Sequence, residues 1–280
     1  MKKVFLMLSA IGILTISSCS KDKNEPGPEE ITVKECILKS SEDINSYNNV
    51  KRFYTYDQNS NISRIDYDTE KSTHFQTFIY EKDKITSNEE EIFNFGKENE
   101  INTYKLDAKG RIITVIEDPD RPGVTCSYNA EGYLVQTKET DHEDNSSITT
   151  VTYSYANGNL IKVVNERVDN SGLEFNVTTN ITYTDELLNN QAVFAKLYNS
   201  FLPDETDELT AFLGKRSKNL PAKYVIVETY KTAEYNRTAT LQFTYLKDVK
   251  KNVTSVKAIQ TTLPVSDPFS EEFKFTYICD

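Results

Sequence analysis

Tyr56, Tyr80, Tyr104 and Tyr128 stand 24 residues apart, each at or near the end of a run of alternating apolar and polar residues. A fixed period of this length marks a repeated supersecondary unit. The alternation gives its type, because residues i, i+2 and i+4 share one face of a strand. In Tyr104-Lys-Leu-Asp-Ala-Lys-Gly-Arg-Ile-Ile-Thr-Val115 an aromatic strand end runs into an Asp, the chain turns at Gly110, and a second apolar strand leaves. Lys109-Gly110 and Asn157-Gly158 supply the positive φ that tight hairpins need. Phe273-Lys-Phe-Thr-Tyr277 and Leu241-Gln-Phe-Thr-Tyr245 place their aromatics on one side and Lys, Gln or Thr on the other. That pattern fits an antiparallel sheet wet on one face. The fold class is therefore mainly β, a large curled antiparallel β-meander or partly closed barrel of repeated hairpins.

A short two-helix insert near 187–214 breaks the pattern. Val193, Phe194, Leu197, Tyr198 and Phe201 repeat at helical spacing and predict a helix over Asn190 to Ser200. Asp204 reads as the N-cap of a second helix, with Glu205, Asp207 and Glu208 in its first turn. Leu209, Phe212 and Leu213 would line one face, and Gly214 would end it. The insert is too short for a domain, so it is expected to plug or cover the concave side of the sheet.

Composition supports strands: there are 17 Tyr, 14 Phe and no Trp, and only nine Gly. The formal net charge is −11. A surface this acidic repels nucleic acid and anionic head groups, so neither is an expected partner. Of the four cysteines, Cys36, Cys126 and Cys279 are too far apart for a zinc site built from local pairs. Cys36 and Cys279 lie near opposite ends of the folded chain and form the candidate disulfide if the sheet closes. Three buried thiols are the simpler alternative.

Met1-Lys-Lys begins a basic segment, and Val4 to Ile16 is an apolar run of secretory-signal length, too short to span a bilayer. It ends in Ile16-Ser-Ser-Cys19, which resembles the bacterial lipobox, in which Cys19 would be lipidated and begin the mature chain. Residues 20–30 are polar with Pro and Gly and read as a tether. The expected organisation is a lipoprotein signal peptide at 1–18, a lipidated flexible tether at 19–30 and a single β domain with its helical insert at 31–280. The expected location is the outer membrane, facing the cell surface or, alternatively, the periplasm.

Together with the hairpins, Leu213-Gly-Lys-Arg-Ser-Lys-Asn-Leu-Pro221 resembles a Bacteroidetes-type lipoprotein domain of unknown function with a porin-like β-meander fold. The resemblance spans roughly Phe53 to the C-terminus and implies a curled antiparallel sheet with no established activity. Tyr104 to Ile112 also resembles the tyrosine-aspartate repeats of shell-forming toxin proteins, whose arrays are far longer.

Catalytic motifs are absent: the sequence holds no Gly-x-Ser-x-Gly elbow, His-Glu-x-x-His helix or Walker loop. His74 and His142 lie in different hairpins, and a Cys126–His dyad would need a geometry that sequence does not supply. Asp118, Asp120, Asp141 and Asp144 are weak calcium candidates, since none sits in a twelve-residue loop with its glycine. Glu89-Glu90-Glu91 would serve a glycosidase only if two acids faced each other across a cleft. No cofactor is expected. The expected function is a monomeric, non-enzymatic envelope lipoprotein, meeting the bilayer through Cys19 and binding a glycan or a protein. The alternatives are a carrier holding a lipophilic ligand inside the curled sheet, and an unrecognised hydrolase.

Overall fold

The computed structural model describes residues 36–44, 49–68, 72–93, 95–117, 120, 123–140, 147–188, 190–203, 206–263 and 269–279. The signal peptide, Cys19 and the tether lie outside these residues. The strands, in order, are β1 (Ile37–Ile44), β2 (Asn49–Tyr56), β3 (Ile62–Asp68), β4 (Thr73–Tyr80), β5 (Lys84–Phe93) and β6 (Gly96–Leu106). There follow β7 (Ile112–Ile116), β8 (Val124–Tyr128), β9 (Leu134–Thr140), β10 (Ile148–Ala156) and β11 (Asn159–Asp169). The last are β12 (Gly172–Leu187), β13 (Asn219–Tyr230), β14 (Arg237–Lys247), β15 (Val253–Leu263) and β16 (Phe269–Ile278).

Each strand pairs with its sequence neighbours, and β16 pairs with β1, so the sheet is a closed 16-strand antiparallel barrel. Of the two expected forms, curled meander or partly closed barrel, it goes beyond both. Closure leaves no edge strand open to another chain. The seam pairs Ile37 with Ile278 and runs up to Ile44 with Glu272. Cys36 and Cys279 are joined in a disulfide at its base. Cys126 alone remains a free, buried thiol among the described cysteines, so the three-thiol alternative does not hold.

One end of the barrel carries the turns after even-numbered strands and the insert after β12, together with Cys36 and Cys279; the other carries the connections after odd-numbered strands. We call these the turn end and the loop end. Three of the turns share one construction. Asp57 Oδ1 accepts the backbone N–H groups of Asn59 and Asn61 at 2.8 and 2.9 Å. Asp107 does the same for Lys109 and Arg111, and Asp248 for Lys250 and Asn252. The fourth turn residue has positive φ: Ser60, Gly110 and Lys251 at +65°, +74° and +67°. An Asp that collects two N–H groups and a left-handed residue three places on is enough to reverse the chain.

A tyrosine near the end of each of six even-numbered strands points inward and donates across to the start of the preceding strand. Tyr56 bonds Leu38 O, Tyr80 bonds Ile62 O, Tyr128 bonds Ile112 O, Tyr245 bonds Pro221 O and Tyr277 bonds Val253 O, at 2.6–2.8 Å. Tyr183 bonds Leu160 O in the same way. The 24-residue spacing is not a strict equivalence, however. In β6 the position before the turn is Leu106; Tyr104 sits one inward layer deeper, with its hydroxyl 3.3 Å from Ser87 Oγ. Strand lengths vary from five to 16 residues, so equal spacing and equal depth part company.

The insert lies against the inner wall. The helix α1 (Gln191–Tyr198) is shorter than expected and tightens into a 3₁₀ turn, Asn199–Phe201. Residues 193 to 198 are buried without exception, Lys196 included, so this helix has no solvent face among its described side chains. Tyr224 on β13 donates to Leu197 O at 2.7 Å, Tyr153 on β10 donates to Phe201 O, and the Tyr183 and Tyr198 hydroxyls are 3.0 Å apart. The expected second helix is instead a kinked 3₁₀ segment, Asp207–Phe212, preceded by Thr206, whose hydroxyl bonds Pro203 O. Six residues are too few to nucleate an α-helix, and packing of Leu209 and Thr210 sets their path. Asp204 and Glu205, the expected cap and first-turn acid, lie outside the described residues.

Leu213–Pro221 fastens the insert to the wall. Gly214 bridges Tyr133, and Lys215 N–H bonds Gly132 O at 2.9 Å. Ser217 Oγ accepts Leu160 N–H at 3.0 Å, and Asn159 Oδ1 accepts the N–H groups of Lys218 and Asn219. Gly214 has φ +81°, and a Cβ there would stand 2.4 Å from Gly132 O. The motif is therefore structural, docking the end of the insert onto two tight turns.

Candidate functional site

Register alone assembles a charged row inside the loop-end half of the barrel. Ser41, Arg52, Tyr67, His74 and Glu91 are direct cross-strand partners on β1 to β5, and directly paired residues share a face. The next inward row is Tyr54, Ile65, Gln76, Glu89 and Glu100. Ile65 and Gln76 are buried, which identifies the face as the inner one.

The side chains interlock. His74 Nε2 and Glu89 Oε1 are 2.5 Å apart, and the imidazole stacks on Tyr67 with ring centroids 4.0 Å apart and planes 9° from parallel. The Arg52 guanidinium lies 5.4 Å from the Tyr67 ring centre and donates to Asp43 Oδ2 at 2.5 Å. Lys196, from α1, reaches the same Asp43 oxygen at 3.2 Å. Asp43 Oδ1 is buried and has no hydrogen-bond partner. Ser72 closes the row by donating to Glu91 at 2.6 Å. The Arg52, Asp43, His74 and Glu89 side chains keep between 17% and 28% of their surface, so solvent reaches them.

Electrostatics follow from this crowding. Burial alone would lower the Arg52 pKa, but the Asp43 and Glu208 carboxylates raise it overall. Glu208, from the 3₁₀ segment, has its carboxyl pushed above the ordinary range by burial, against the pull of Lys196 and Arg52. Across the seam, burial and then Asp43 raise the Glu271 carboxyl. The Tyr54 hydroxyl, 2.8 Å from Ser41 Oγ, is likewise held protonated by burial. The result is a fan of donors and acceptors of both signs around a stacked ring pair.

Of the residues singled out by sequence, His74 and Glu89 come together. Glu90 faces outward and pairs with Lys97 at 2.8 Å. Cys126 is buried in the wall, and burial pushes its thiol up to about 12, so it is protonated at neutral pH. Asp120 is exposed in the connection after β7, while Asp118, Asp141, Asp144 and His142 lie outside the described residues. Among the described residues no group of three His, Cys, Asp or Glu is placed to hold a metal ion. Sequence reasoning missed Asp43, Arg52, Tyr67 and Lys196, and placed Glu208 only in the first turn of a helix. A signal was present: Arg52 and His74 fall in phase with the inward tyrosines Tyr54 and Tyr80 of their own strands.

Outside, the wall is mixed: Phe53, Ile79, Ile101, Ile113 and Ile259 are exposed on outward strand positions among charged and polar side chains. Lys138, Lys162, Asn180, Gln242, Lys257 and Lys274 are exposed at mid-strand outward positions. Inside, the turn-end half is apolar and holds α1 within the main hydrophobic core.

No protein-family model matches the sequence, and no curated protein matches it. Solved structures do share the fold. One is a porin-like protein from Bacteroides uniformis ATCC 8492, 16% identical, with a TM-score of 0.60 over 86% of this chain and 98% of that one. Another is a porin-like protein from Bacteroides vulgatus ATCC 8482, 13% identical, with a TM-score of 0.53 over 87% of this chain and 99% of that one. At these identities the likeness carries the porin-like barrel and nothing finer.

Proposed function

We propose that this chain is a non-enzymatic binding module, held on the outer membrane by a lipid on Cys19, whose ligand is a glycan seated at the loop end of the lumen. The observation that carries this reading is the stacked Tyr67–His74 pair between Asp43–Arg52 on one side and Glu89 on the other. A sugar ring has an apolar face for an aromatic surface and hydroxyls for carboxylate and guanidinium partners. Asp43 Oδ1, buried without a partner, is an acceptor such a hydroxyl would satisfy.

The lysines at mid-strand on the outer wall support a barrel that stands on the membrane. A lysine facing lipid at the bilayer midplane costs about 2–4 kcal/mol, and this wall presents several at mid-strand. The lipobox supplies the anchor that such a barrel lacks. The lipophilic-carrier alternative is weakened because the chain's own Val193, Leu197 and Tyr198 occupy apolar space inside the wall.

Calorimetric titration of the full chain carrying Cys19→Ser, against neutral, acidic and amino-sugar oligosaccharides, tests the reading. Saturable binding to a member of the panel is expected, weakened at least tenfold by Tyr67→Ala and by Glu89→Gln in variants that keep the wild-type circular dichroism. No saturable binding across the panel, or binding indifferent to both substitutions, would overturn it.

A further inference from the structure

The net charge of −11 hides an axial asymmetry. At the turn end, Lys82, Lys109, Lys215, Lys218, Lys250 and Lys251 are exposed on the turns and on the segment that fastens the insert. Exposed Asp83, Glu131 and Asp185 share this end, but its cations outnumber its acids among the described residues. Asp57, Asp107 and Asp248 are taken up by their own turns, Glu81 pairs with Lys84, and Glu186 pairs with Lys247. Among the described residues the loop end exposes Glu98, Glu100 and Glu234, and Glu174 paired with Arg167. The same basic end also carries exposed apolar side chains: Ile37 and Ile278 side by side at the seam, Leu246 at 66% exposure, and Val249 fully exposed at the tip of its turn.

We infer that the turn end is a docking face for a bilayer of anionic phospholipid. Two observations select this occupant. The first is charge complementarity: lysines ringing exposed Leu246 and Val249 match phosphate head groups with acyl chains beneath them. The second is the point of attachment. The sixteen residues between Cys19 and Cys36 join the barrel at this end, where Cys36 is bonded to Cys279. A lipid on Cys19 would bring this rim, and not the loop end, to the head groups, leaving the glycan row pointing away. A single acyl signal holds a protein only reversibly, and a basic apolar rim is the kind of second contact that makes anchoring stable. The net charge of the whole chain disfavours anionic head groups, and the rim is a local exception to it.

The inference rests on the anchored-barrel reading for orientation only, and its test removes the anchor. Full chain carrying Cys19→Ser is floated with vesicles of phosphatidylcholine alone or mixed with phosphatidylglycerol. Binding is expected to the anionic vesicles only and to fall as salt is raised. Lys250→Glu with Lys251→Glu should lower the bound-to-free ratio by about tenfold or more, and Leu246→Ser should lower it further. Lys231→Glu at the loop end should leave it unchanged. Absence of binding to anionic vesicles, or equal losses from rim and loop-end substitutions, would overturn the docking face. Radiolabelled palmitate incorporation by the wild-type chain, and its loss in Cys19→Ser, tests the anchor separately.

Discussion

Lys196, on the helix inside the barrel, and Asp43, on the first strand, are 153 residues apart in sequence and 3.2 Å apart in space. Lys196 is buried and Asp43 also holds Arg52, so one carboxylate ties the insert to the wall and organises the candidate site. Asp43→Asn is expected to cost about 3 kcal/mol, the low end for breaking a buried pair, because two cations then lose their counter-charge. Adding Lys196→Met should recover part of that loss. Urea midpoints for the four members of the cycle measure the coupling.

Glu208 predicts an unusual pH response. Its folded carboxyl titrates above its unfolded value because of burial. The folded state therefore binds the proton more tightly, and this contribution to stability is present at low pH and lost as pH rises through the folded pKa. Glu208→Gln should remove that loss, so the variant gains on the wild type as pH climbs above the unfolded glutamate value of about 4.3. Asp57, Asp107 and Asp248 act in the opposite sense. Asn61 above all holds Asp57 down, and Asn252 does the same for Asp248. Burial would raise Asp107, but Arg111 and its turn N–H groups lower it overall. Their contributions are present above the unfolded aspartate pKa and fade as pH falls through the folded values. Chemical denaturation of wild type and Glu208→Gln across the acid range separates the two trends.

The tyrosine ladder gives a graded series. Tyr80→Phe and Tyr277→Phe each remove one hydroxyl-to-carbonyl bond while keeping the ring, so each should cost about 1 kcal/mol. Tyr235→Phe, at an exposed site, should change the thermal midpoint little.

Gly214→Ala should be more damaging than either. A positive φ and a carbonyl 2.4 Å from the new methyl act together. The loss should appear first as faster proteolysis within the insert, because the residues that dock its end lie at 214 to 219.

Reduction probes the seam. The Cys36–Cys279 bond closes a span of 243 residues, and its removal in Cys36→Ser with Cys279→Ser should cost about 2–4 kcal/mol. Cys126→Ser should not reproduce the effect of that pair on sensitivity to reductant, because its thiol is free.

The hairpins, the turn chemistry and the inward aromatics were legible because each is local: alternation, Asp and positive φ lie within a dozen residues. Closure was not, since it depends on Ile37 meeting Ile278 across the whole chain. The insert's presence was legible from the spacing of Val193, Leu197 and Tyr198, but its second half was not. Six residues take their conformation from the wall they touch more than from propensity. The candidate site was the least visible part. Arg52, Tyr67 and His74 look like unrelated residues of three strands until the register sets them in one row. Lys196 reads as an ordinary helix cation until the helix is placed inside the barrel.

The most direct test concerns where the barrel stands relative to the membrane. Full chain carrying Cys19→Ser should purify without detergent as a cooperatively unfolding protein and should give no conductance steps when added to planar bilayers. A requirement for detergent to stay folded, or stable conductance steps in the bilayer, would contradict a plugged barrel that stands on the membrane.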